Sequence, residues 1–203
     1  GIHINNTDIK LIGLFLTDNQ DVSLYVSNSD NIIINNSSIN GNYGGNEWNS
    51  IVFAIYFENN DSVVINNSQI TNNLGGSWFG NTSSLLITNT SYMYNLFPLR
   101  VTSCSDLEIS HCTFNYNQNA EGDGGGLICF NSTGRINNSS ISYNTVNGNS
   151  SGGTREGGGA WLSGSIQLLN SEIRGNKIIT SGASQGKGGG LYITGGVTID
   201  SSV

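Results

Sequence analysis

The hexapeptide Ile34-Asn-Asn-Ser-Ser-Ile39 returns as Ile65-Asn-Asn-Ser-Gln-Ile70 and again as Ile136-Asn-Asn-Ser-Ser-Ile141. Self-similarity of this kind restricts a chain to architectures that stack one small unit many times. Aligned on the first Ile, the unit occurs at Ile4, Ile34, Ile65, Ile87, Ile109, Ile136, Leu168 and Ile199, at spacings of 22 to 32 residues.

Other columns recur at fixed offsets from this anchor. Two residues before it stand Ile2, Ile32, Val63, Leu85, Leu107, Gly134, Ile166 and Val197, a period that marks a strand with one buried face. Five residues after it stand Ile9, Ile39, Ile70, Tyr92, Phe114, Ile141 and Ile173. An odd offset cannot keep one face on a straight strand, so the chain must bend in between. Eight residues before the next anchor come Val26, Phe57, Phe79, Val101, Ile128, Ala160 and Leu191. Three short strands per unit, joined by bends, predict an all-β fold: a right-handed parallel β-helix of about seven coils of 22–32 residues. The longer units carry their surplus at one place, as loops over 41–49, 118–124, 147–157 and 180–188.

Two polar columns keep the same period. Asn6, Asn36, Asn67, Asn89, His111, Asn138 and Asn170 lie two residues after the anchor, and Asn42, Asn73, Asn95, Asn117, Asn144 and Asn176 lie eight after it. Asn tolerates a left-handed backbone and its amide both donates and accepts, so both columns are read as corner ladders between coils.

Composition supports an ordered β fold: 36% of residues are hydrophobic, in short β-branched clusters, although only 10% are charged. The net charge of −7 argues against nucleic acid as a partner. No apolar run reaches the roughly 20 residues of a membrane-spanning helix. Cys104, Cys112 and Cys129 cannot all pair within one chain, and their spacing fits neither zinc nor a CxxC motif; one disulfide is compatible with the count and none is required.

Phe114-Asn-Tyr-Asn117, with relaxed versions at Ile39 to Asn42, Ile70 to Asn73, Tyr92 to Asn95, Ile141 to Asn144 and Ile173 to Asn176, resembles a Phe-x-x-Asn motif. Gly124-Gly-Gly-Leu127, Gly157-Gly-Gly-Ala160 and Gly188-Gly-Gly-Leu191 look like a Gly-Gly-Ala-Ile motif. Together they resemble the β-helix repeats of chlamydial polymorphic outer-membrane proteins and of other surface proteins. That resemblance implies adhesion and surface display; it implies no chemistry.

Catalytic and metal sites are not recognised. The acids are scattered; Asp30, Asp61 and Asp106 recur before a strand and read as turn residues. A nucleophile built on His111 and Cys112 is disfavoured because neighbouring strand residues face opposite ways. The Gly runs open no helix after a strand, so they are not phosphate loops but sites of close backbone packing. The candidate binding residues are two outward aromatic columns: Tyr25, Tyr56 and Trp78, followed by Arg100, and Tyr94, Tyr116 and Tyr143. Rings at the inter-coil spacing offer a strip on which sugars or partner side chains can stack, or they stack on one another and shield the sheet. Among the Asn-x-Ser/Thr sequons, Asn60, Asn81, Asn131 and Asn149 fall in turns or loops and are the glycosylation candidates, whereas Asn36, Asn89 and Asn138 belong to a ladder and should be hindered.

The sequence thus reads as one β-helix segment over 1–203 of a larger chain, cut within the repeat at both ends, where neighbouring coils or subunits complete it. The expected role is a secreted or cell-surface structural or adhesive scaffold, non-catalytic, N-glycosylated and without cofactor or metal. Its partners would be extracellular proteins or glycans, with no nucleic acid. The alternatives are a polysaccharide lyase or hydrolase of the same fold, and a subunit of an extracellular filament.

Overall fold

A computed structural model describes residues 1–43, 53–120, 122–148, 153–180 and 184–202. All of its regular structure is strand, every pairing is parallel, and each strand pairs with the equivalent strand one coil away. No helix is long and apolar enough to cross a membrane.

Each coil contributes to three ladders. A leading ladder begins Ile2–Asn5, Leu24–Ser27, Phe53–Glu58 and Gly76–Gly80; a middle ladder contains Asn31–Asn35, Ser62–Asn66, Ser84–Thr88 and Asp106–Ser110. The closing ladder runs from Phe15–Thr17 to Glu172–Arg174 as a seven-stranded sheet. In the later coils the leading and middle strands fuse into Leu127–Asn137 and Ala160–Leu169, which joins those two ladders into one 14-stranded sheet.

The inward files are those the periodicity describes. Ile34, Ile65, Ile87, Ile109 and Ile136 are in register, each no more than 1% exposed. Burying each such side chain is worth about 1.5–3 kcal/mol, so one file alone is a large stabilising term. Phe57 stacks on Phe79 at 4.9 Å and Tyr92 on Phe114 at 5.3 Å.

The first and last coils depart from the expected alignment. The anchor of the first coil is Leu11, paired with Ile34, while Ile4 pairs with Val26 and belongs to the leading ladder. Likewise Leu16, not Ile9, heads the closing file, and Ile9 pairs with Ile32. Downstream, Val101 continues as Cys129, Leu162 and Ile193 rather than Ile128, Ala160 and Leu191. The cause is the fused strands: the turn between leading and middle segments loses residues there, and the register shifts between Cys129 and Ser132.

Three residues per coil have a left-handed backbone, and they form the corners. One file is Asn6, Asn28, Asn59, Asn81, Ser103 and Asn131; a second is Gly13, Asn36, Asn67, Asn89, His111, Asn138 and Asn170; a third is Asp18, Gly41, Asn72, Tyr94, Tyr116, Tyr143 and Gly175. Asn, Asp and Gly adopt this conformation at low cost, which explains the Asn-rich composition.

One residue after each corner the chain points inward with a small polar group. Asn42, Asn73, Asn95, Asn117 and Asn144 form a buried carboxamide ladder that Asn19 and Asn176 extend. Asn95 uses its full capacity: Nδ2 donates to Ile70 O at 2.9 Å and Asn117 Oδ1 at 3.1 Å, while Oδ1 accepts from the amide and Nδ2 of Asn73. A second ladder, Ser37, Ser68, Thr90, Cys112, Ser139 and Ser171, places most of its hydroxyls on a backbone amide of the preceding coil. The other Asn column is no internal ladder: Asn36, Asn67, Asn89 and Asn138 are exposed corner residues.

The Gly runs stack backbone on backbone. Gly125 N donates to Gly157 O at 3.1 Å and Gly158 N to Gly188 O at 2.9 Å, and a Cβ on Gly125 would collide with Gly158 O. Of the predicted loops, residues 44–49, 121, 149–152 and 181–183 fall outside the described residues. Their flanks add rungs of their own: Gln118–Asn119, Thr145–Asn147 and Lys177–Ile179 form a three-stranded sheet, and Gly153–Glu156 pairs with Ser184–Lys187.

Candidate functional site

The outward face of the leading ladder carries one continuous file. His3, Tyr25, Tyr56, Trp78, Arg100, Ile128, Trp161 and Tyr192 are consecutive partners in register. Tyr25 and Tyr56 lie parallel at 5.2 Å, Tyr56 meets Trp78 at 4.4 Å, and Phe53 packs against both Tyr56 and Trp78. Burial and the Glu58 carboxylate push the Tyr56 phenol up to about 12.

The second predicted column is a separate stack. Tyr94, Tyr116 and Tyr143 are parallel within 8°, with centroids 5.2 and 5.3 Å apart. Their faces cover one another and their edges meet solvent; the far face of Tyr143 lies over Gly175, where a Cβ would touch the ring. The rings of this column therefore stack on one another while remaining partly exposed. The two columns sit at different places on the coil and form no joint site.

The ring file breaks at Arg100 and Ile128, and there a cleft of about 290 Å³ opens. Its walls are Phe53, Phe97, Pro98 and Trp161, its floor Arg100 and Ile128, and its rim Asn119, Gly122 and Asp123. Arg100 Nε and Trp161 Nε1 are shielded from water and have no acceptor. Buried donors without a partner are costly and rare. The rim is held firmly: Asn119 Nδ2 donates to Asp123 O at 2.8 Å, and Asn119 Oδ1 accepts from Gly122 N at 2.9 Å. The Asp123 carboxylate accepts from the Glu156 amide at 2.7 Å. Burial raises the Asp123 carboxyl above the ordinary range, and the Glu156 charge adds to that while Arg155 opposes it. The Tyr192 phenol donates to Glu156, which raises it as well.

Sequence reasoning reached Tyr25, Tyr56, Trp78 and Arg100 but missed Trp161, Tyr192, Asn119 and Asp123. Counting back from the Ile anchor fails where the strands fuse. Counting forward from each Gly run finds Trp161 and Tyr192, since Ile128, Trp161 and Tyr192 are each the second residue after Gly-Gly-Gly; no such count finds Asn119 and Asp123.

The remaining candidates resolve individually. Asn60 is 1% exposed, with its Oδ1 accepting from Ser29 N at 3.1 Å, so this sequon is internal and not a surface turn. Asn81 and Asn131 are exposed corners, while Asn149 lies outside the described residues. The exposure of Asn36, Asn89 and Asn138 reverses the expectation that they are hindered. His111 faces solvent and Cys112 the core, so the two do not converge. All three cysteines are free and buried: Cys104 and Cys112 occupy polar-ladder positions and Cys129 an aliphatic file. Burial pushes the Cys112 thiol up to about 11 and raises Cys104 and Cys129 too. Asp30 and Asp61 are exposed at bends before a strand, and Asp106 is the exposed first residue of the strand Asp106–Ser110. Among the described residues no group of three or more His, Cys, Asp and Glu is placed to hold a metal ion.

No match to a curated protein or to a solved structure was found. The family described as "Right handed beta helix region" matches residues 1–178. With parallel ladders, stacked inward files and a family match across most of its length, the chain belongs to the right-handed β-helix region family.

Proposed function

We propose that this β-helix is a secreted or cell-surface scaffold, structural and adhesive rather than catalytic, that recognises glycans or extracellular proteins on the outer face of its leading ladder. The observation that carries the reading is the outward ring file from Tyr25 to Tyr192, interrupted by a single cleft whose donors lack acceptors. The interior Asn ladder and the Ser/Thr ladder are hydrogen-bonded between coils, which leaves recognition to the outer face and the variable corner. The exposed sequons and the resemblance to surface-protein repeats support the secretory placement. The test is a screen of the purified chain against immobilised glycans and matrix proteins, repeated with Tyr56→Ala plus Trp78→Ala. These changes remove the rings that support Phe53 at the cleft wall. Binding that survives unchanged sinks the recognition surface.

One observation favours a second reading, polysaccharide cleavage: Asp123 lines the cleft, accepts from the Glu156 backbone amide, and is raised by burial in the sense a general acid needs. Wild-type protein that releases neither reducing ends nor unsaturated sugars from a polysaccharide panel removes it.

A further inference from the structure

We infer that the cleft at Arg100 binds one uncharged, hydroxyl-rich sugar ring. The inference rests on the recognition reading above and adds the chemistry of the ligand.

The volume, about 290 Å³, lies at the low end of the roughly 300–1,000 Å³ typical of small-molecule clefts, so a single ring fits and a chain does not. The walls supply an aromatic face at Trp161 and a second ring at Phe53, suited to the C–H faces of a pyranose.

The polar groups select hydroxyls. A hydroxyl both donates and accepts, so neighbouring hydroxyls satisfy a site that presents donors and an acceptor together. Arg100 Nε and Trp161 Nε1 are donors awaiting an acceptor, and the Asp123 carboxylate is an acceptor on the rim. An acidic sugar fits less well. Its carboxylate would meet that of Asp123 on the same lining, a repulsion that Arg100 must offset. Among the described residues Arg100 belongs to none of the ion pairs, which are Arg135–Glu108, Arg174–Glu172 and Lys187–Glu156.

The test follows the indole N–H resonance of Trp161 in the full chain, assigned by its loss in Trp161→Phe, during titration with methyl glucoside, methyl galactoside, methyl mannoside and the corresponding methyl uronides. The expected result is a saturable shift with at least one neutral glycoside. That response should weaken about tenfold in Arg100→Gln and in Asp123→Asn, the loss of one charge-assisted hydrogen bond. A response to uronides alone overturns the ligand class, and shifts unaltered in both variants overturn the site. If the wild-type chain captures polysaccharide or matrix protein while the Trp161 resonance stays still, the cleft assignment falls and the recognition surface stands; capture of nothing removes both. Because the primary readout is on unaltered protein, a variant that misfolds does not decide the matter.

Discussion

The phenol rings of Tyr116 and Tyr143 lie parallel, with 5.3 Å between centroids and 8° between planes, and each stands on a left-handed backbone with φ of 57°. A bulky residue in that conformation costs on the order of 1–2 kcal/mol, so the stacking must offset a local penalty. Tyr116→Asn should therefore change stability by less than about 1 kcal/mol, because Asn relieves the backbone as it removes the stack. Tyr116→Val, which keeps the penalty and loses the stack, should cost about 2 kcal/mol. Urea unfolding of the two variants separates these cases; equal losses would show that the backbone carries no strain.

The carboxamide ladder makes a larger prediction. Asn95→Ala strands the amide and Nδ2 of Asn73, removes the side-chain donor of Ile70 O, and leaves Asn117 Oδ1 with the Asn95 amide alone. Leaving such groups buried should cost about 3 kcal/mol or more. Asn89, an exposed corner with φ of 48°, is the control: Asn89→Gly should stay within about 0.5 kcal/mol. Thermal or urea melts that rank the two alike would contradict the division into internal ladder and external corner.

All three thiols should resist modification in the folded chain. With Cys112 pushed up to about 11 and buried, Ellman's reagent at pH 8 should release almost no chromophore, whereas denatured protein should release three equivalents. Prompt reaction in the native state would place a cysteine at the surface.

Tyr56 gives a pH signature. Its folded value, about 12, lies above that of a free phenol, so folding favours the protonated ring. The associated stability is intact below about pH 10 and is lost as pH rises through about 12. Spectrophotometric titration should place Tyr56 and Tyr192 among the late tyrosines, beside the strongly shifted, buried Tyr92, and Glu58→Gln should bring the Tyr56 step down by removing the neighbouring charge.

Secretion from a eukaryotic host should glycosylate exposed corners and spare the interior. Glycopeptide mass spectrometry is expected to find glycan at Asn81 and Asn131, and at one or more of Asn36, Asn89 and Asn138. Glycan on Asn60 would require the coil to open, because that side chain is 1% exposed.

The architecture was legible because an inward aliphatic file repeats with little drift: Ile34, Ile65, Ile87 and Ile109 need only counting. The Asn42 ladder was legible for the same reason. Three things were not. The division between an internal ladder and an external corner is invisible in letters, since Asn serves both and only the side of the chain differs. The hydroxyl ladder was hidden because Ser, Thr and Cys alternate in it while doing one job, receiving an amide proton from the neighbouring coil or filling that place. The cleft was hidden by the fused strand Leu127–Asn137, which moves Trp161 out of the column that the anchor predicts. The pairing of Asp123 with Glu156 joins residues of successive coils through a corner whose length varies, and no fixed offset announces it.

The Asn42–Asn176 ladder keeps its rungs hydrogen-bonded while its successive members stand 22 to 32 residues apart, the surplus following this corner in the sequence. Length at that corner is thereby uncoupled from the conditions that keep the barrel of side chains closed. A foreign peptide grafted at that corner would leave the inward files of neighbouring coils in register. The fold can thus diversify its outline by insertion while its inner cross-section stays the same.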